Sequence, residues 1–94
     1  MDSRHSLEMS ASREEFLRLL PAAVACAFTI SGDTFHGHDG TCGWRIRLTP
    51  LADHRVGSVA VPRHRVEIVI EARSEAEAEA FMARFHRAFM RAGG

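Results

Sequence analysis

The sequence predicts one small α+β domain, in the order α-β-β-β-β-α, with two helices packed on one face of a four-stranded antiparallel meander. Three observations predict it. Capping-box spacing occurs twice, at Ser12–Glu15 and Ser74–Glu77, each before an apolar run of helical period. Between these points apolar residues alternate with polar ones, as in strands with one wet face. Finally, 94 residues with no linker-like composition suit a single core spanning residues 12–94.

Residues 1–11 are polar and aperiodic and are expected to form a flexible tail without function. A helix then starts at Ser12, carries Phe16, Leu17, Leu19 and Leu20 toward the core, and is expected to stop before Pro21. Val24, Cys26, Phe28 and Ile30 alternate with smaller residues and read as the first strand. A loop rich in Gly and His follows, from Ser31 to Gly43.

Trp44, Ile46 and Leu48 alternate with Arg45, Arg47 and Thr49 in the second strand, which Pro50 should end. Asp53 and His54 are read as a turn before a third strand over Val56–Val61, and Val66, Ile68 and Ile70 mark the fourth. The last helix runs from Ser74 to about Ala92. Its acidic start and basic end suit the helix dipole, and Ala78, Phe81, Met82, Phe85 and Phe89 form its sheet-facing stripe. Gly93 reads as the C′ residue that ends it.

The chain has twelve basic and twelve acidic groups, so no global field draws it to nucleic acid or to an anionic membrane. It contains no Lys, Asn, Gln or Tyr, which removes the Schiff-base lysine and the phenolic acid from its chemistry. The longest apolar run, Leu19–Ile30, is too short to span a bilayer. Leu19–Cys26 faintly resembles a lipoprotein cleavage box, but Glu8, Glu14 and Glu15 spoil the basic region that such a signal needs. With two cysteines and no disulfide framework, a reduced, cytoplasmic setting is expected.

The leading functional reading is a non-catalytic binding or assembly module acting through the open sheet face. Arg45, Arg47, Arg65 and Glu67 are the candidate binding residues, with cross-strand Arg–Glu pairs expected among them and Glu71. The expected partner is a second copy, as a homodimer whose interface includes Arg45 or Arg47, or another protein. No cofactor is expected. A nucleophilic set assembled from Cys42, His36 and Asp39 has no spacing that selects it, so no catalytic residue is assigned.

Two alternatives remain. His36, His38 and Cys42 are donor types suited to zinc, with His54 or Asp39 as a fourth ligand, although a second ligand pair at recognised spacing is missing. Arg45, Arg47, Arg63 and Arg65 form a basic set that could touch nucleic acid, but no exposed aromatic platform accompanies it. Separately, Gly93-Gly94 is similar to the tail of the ubiquitin-like sulfur carriers, which are activated at a C-terminal diglycine. Those proteins hold the pair on an extended tail after a β-grasp, whereas here it directly follows a helix.

Overall fold

The computed structural model describes residues 1–93. Seven elements follow in chain order: β1 (Asp2–Met9), α1 (Arg13–Val24), β2 (Phe28–Ser31), β3 (Thr34–His38), β4 (Gly43–Val56), β5 (Val59–Glu71) and α2 (Glu75–Gly93). The sheet has five strands in the order β1-β5-β4-β3-β2, every neighbouring pair antiparallel. β2 to β5 form an antiparallel meander, though not of the four segments expected: β3 lies in the expected loop, and the expected third and fourth strands merge, since Val59–Glu71 is one strand. Both helices lie on one face, so the α+β class holds while the strand count does not.

The additional strand is the segment expected as a tail. β1 pairs with β5 from Asp2↔Glu71 to Met9↔His64. Its core-side positions are Ser3, His5, Leu7 and Met9, and only the last two are apolar, which is why alternation did not reveal it. As an edge strand it needs only backbone pairing on one side and a thin apolar contribution.

α1 does not stop at Pro21. Phe16, Leu20, Ala23 and Val24 form one buried stripe at helical spacing, and burial of the last two draws the helix through an exposed proline. It ends where Ala25 adopts φ 53° and donates its N–H to Pro21 O at 2.9 Å, an αL cap. Val24 therefore belongs to the helix, and the first meander strand begins at Phe28.

The Gly- and His-rich segment is not one loop. Gly32, at φ 60°, lies in the turn after Ser31, and β3 then carries Phe35, which is fully buried. Gly37 in β3 sits beneath Trp44, where an added Cβ would lie 2.9 Å from Ala27 O and 3.0 Å from the indole. Glycine here is a packing requirement, and it erased the alternation that marks a strand.

β4 continues past Pro50, which pairs with His64. Pairing with β3 ends at Arg47, so Pro50 stands where β4 has lost that neighbour and its missing N–H costs little. The expected turn at Asp53 and His54 is a register shift between Leu51 and His54, and the chain reverses at Gly57-Ser58, with Gly57 at φ 62°. Beyond the sheet, the ends of β4 and β5 form a protruding two-stranded arm.

One core lies between sheet and helices. It joins Phe16, Leu20 and Val24 of α1 with Phe35, Trp44, Ile46, Leu48, Val66, Ile68 and Ile70 of the sheet and with Ala78, Phe81, Met82 and Phe85 of α2. Phe16 stacks on Phe89 at 5.1 Å between centroids, fastening the start of α1 to the end of α2. Ser12 and Ser74 accept hydrogen bonds from the Glu15 and Glu77 amides, as the capping-box spacings require. The bounds of α2 include Gly93, which therefore does not stand beyond the helix as a C′ residue.

Candidate functional site: the open sheet face and the β3–β4 turn

Strand alternation fixes which side chains the helices leave uncovered. One open row runs Arg4, Val69, Arg45, His36 and Thr29 across all five strands, and the next runs Ser6, Glu67, Arg47, Thr34 and Ser31. Arg65 opposes Thr49 and Glu8 one step further on. The four predicted binding residues, Arg45, Arg47, Arg65 and Glu67, thus share the open face. Arg45, Arg47, Arg65 and Glu67 are all exposed.

The expected Arg–Glu pairs are not closed. Arg47 and Glu67 are direct cross-strand partners, yet among the described residues the ion pairs are Arg13–Asp33, Arg63–Glu8, Arg73–Glu77 and Arg84–Asp39. Arg45, Arg47 and Arg65 therefore present uncommitted guanidinium forks, each able to take a carboxylate in bidentate fashion. The basic set of the nucleic-acid alternative does not assemble in the same way, because Arg63 is held by Glu8 at 3.0 Å.

The zinc alternative is divided by the sheet. His36 and His38 project from the exposed side of β3, and His38 Nδ1 accepts from the Gly40 amide at 3.0 Å. Cys42 is buried against α2, its Sγ 3.8 Å from Glu77 O. Among the described residues no group of three or more His, Cys, Asp or Glu side chains is placed to hold a metal ion. Burial pushes the Cys42 thiol up, and the nearby charges of Asp39 and Glu77 add to this, so it is a protonated packing group and a poor nucleophile.

Asp39 organises the turn between β3 and β4. Its Oδ1 accepts from the Thr41 and Cys42 amides at 2.8 and 2.7 Å, and its Oδ2 accepts from Arg84 at 2.8 Å. Burial alone would raise its pKa; these amides and the guanidinium outweigh that and hold the carboxyl below its ordinary value. The sequence placed Asp39 beside a metal site. Its role is to fold the turn, and only the distance of Arg84 along the chain concealed that.

A sheet with one covered face and an open face that carries free arginines defines a small α+β module. The chain belongs to the archaeal MoaD-like protein family, whose model matches residues 14–94. No curated protein and no solved structure gives a significant match. The match takes in both helices, β2 to β5 and the diglycine, and leaves out β1. Family membership points to a ubiquitin-like β-grasp; the sheet seen here is antiparallel throughout and the last element among the described residues is a helix.

No helix among the described residues is long and apolar enough to cross a membrane.

Proposed function

We propose that this chain is a small, cytoplasmic carrier-type module, not catalytic in itself, whose Gly93-Gly94 end is acted on by partner proteins that grip the open sheet face. The observation that carries the reading is the family match, which runs through both glycines. The free arginines supply the grip. Arg45, Arg47 and Arg65 face outward from two adjacent strands with no carboxylate committed to them, a surface suited to acidic side chains of a docking protein.

A diglycine must reach a partner's active centre as a thin, extended strand, whereas Gly93 lies within α2. Glycine favours a helix by about 1 kcal/mol less than alanine, so the last turn of α2 is the part most cheaply drawn out. Docking would then supply the free energy for unwinding it.

The test is intact-mass analysis of untagged protein isolated from its native cell. A carboxylate at Gly94 with one oxygen replaced by sulfur is the expected finding. A chain that continues past Gly94, or one that carries only the unmodified carboxylate while sulfur carriers in the same cells are charged, overturns the proposal.

A further inference from the structure

The outer edge of β1 has no neighbour. β1 stands at the end of the strand order, and among the described residues nothing pairs with its far side. Met1 and Ala72 exchange both backbone hydrogen bonds, at 2.8 and 3.0 Å, and this fixes the ladder. Odd-numbered residues of β1 bond to β5, so the N–H and C=O groups of Asp2, Arg4, Ser6 and Glu8 point away from the sheet. The strand runs for eight residues with no proline and no register shift, whereas the opposite edge, β2, has only four. Of the devices that usually blunt an edge, β1 carries only charges on its open side.

Those charges select a partner. Arg4 enters none of the ion pairs among the described residues, and Glu8 gives its Oε2 to Arg63 at 3.0 Å and keeps Oε1. Residues directly opposite in an antiparallel pair share a face, so a second β1 laid against the first turns about an axis through a single residue. Centred on His5, the pairing sets Asp2 against Glu8 twice; centred on Arg4, it sets that arginine against itself; centred on Leu7, it shortens the overlap. Centred on Ser6, it sets Arg4 against Glu8 twice and Ser6 against Ser6, all of them residues whose backbone groups face outward. On the helix-covered side the same register lays His5 against Leu7 and Ser3 against Met9, covering two apolar side chains that a single chain leaves half-buried.

We infer that two copies of this chain join through their β1 edges about a two-fold axis at Ser6, forming one continuous antiparallel sheet with the helices of both copies on the same face. The two sets of open-face arginines then share the other face. This contact goes beyond the carrier reading and does not depend on it.

Sedimentation of untagged protein at tens of micromolar tests the inference, with a dimer expected. Ser6→Pro removes the N–H that bonds across the axis, a group that β5 does not use, so the variant should fold and remain monomeric. Arg4→Glu and Glu8→Arg should each raise the dissociation constant at least about tenfold, because each sets like charges opposite one another twice. An equimolar mixture of these two variants should dimerise again, since each copy then offers the charge that the other lacks. Trp44 fluorescence reports whether a variant keeps its core; should Ser6→Pro lose it, the charge variants and their mixture decide alone. A wild-type monomer overturns the inference, as does a mixture that stays monomeric. A dimer that withstands Arg4→Glu and dissociates on Arg45→Glu with Arg47→Glu overturns it too. None of these results bears on sulfur at Gly94, which intact mass reads independently.

Discussion

Arg84 donates to Asp39 Oδ2 from Nη2 at 2.8 Å and to the Ala23 carbonyl from Nε at 3.2 Å, so one guanidinium joins the end of α1, the β3–β4 turn and the middle of α2. The same group lies 5.6 Å from the Phe81 ring centroid. Asp39 is the better-shielded partner, its side chain 9% exposed against 36% for Arg84.

Asp39→Ala should therefore cost roughly 1–3 kcal/mol, because the Cys42 amide and the guanidinium lose their acceptor in a partly buried setting. Asp39→Asn keeps an oxygen for the amides and loses the charge. The sign with pH follows from the lowered carboxyl. Its contribution is complete above the unfolded pKa of about 3.9 and is lost as pH falls through the lower folded value. Urea unfolding as a function of pH should show the wild type losing part of its advantage over Asp39→Asn at the acid end. A constant difference between the two would contradict this.

Gly37→Ala should destabilise by about 1–3 kcal/mol, since the new methyl meets the Ala27 carbonyl and the Trp44 indole at distances that require one of them to move. The carbonyl lies in the three-residue connection between α1 and β2, where the αL cap at Ala25 and the start of β2 limit its movement. Trp44 is 3% exposed, so a red-shifted emission spectrum should accompany the loss. Equal stability and an unshifted spectrum would mean that the connection at Ala27 is softer than its packing implies.

Removing residues 1–9 should lower the melting temperature by several degrees, because β1 contributes eight paired residues and seals Leu7 and Met9 against the core. Arg63 would also lose Glu8. A tail without structure could be removed with no effect, and that outcome would refute the five-stranded sheet.

These residues also mark where the sequence was readable. Both N-cap serines, the Trp44–Leu48 alternation and the Phe81–Phe85 stripe lie where local propensity and burial agree, and the sequence alone located them, although the Glu15 and Glu77 carboxylates turn to the Ser12 hydroxyl and the Arg73 amide and do not close the boxes on the serine amides. The misread segments are those where a neighbour decides. Ser3 and His5 occupy core-side positions only because β5 holds their backbone; Gly37 breaks the pattern of β3 to make room for an indole; and Val24 fits a period of two by accident while Phe16 and Leu20 bury it as helix. At the site, face assignment was legible because strand alternation is strict. Closure of the Arg47–Glu67 pair was not, since register brings two residues together without fixing their rotamers.

The last prediction concerns His36 and His38. For a metal to use them with Cys42, the thiol would have to leave its place beneath α2, where it is 1% exposed, and come round to the open face of β3. That move would empty a packed position and tear the Asp39 turn, whose Cys42 amide is bonded at 2.7 Å. Both imidazoles are exposed, and the one bond at stake is the solvent-exposed Gly40 amide on His38 Nδ1, so changing the pair to alanine should alter stability by less than about 1 kcal/mol. A chelator should leave the melting temperature of untagged protein unchanged, because a structural metal would contribute directly to folding. Stoichiometric zinc in such a preparation, with a chelator-induced drop in melting temperature, would show that the turn adopts a second arrangement in which the thiol is released.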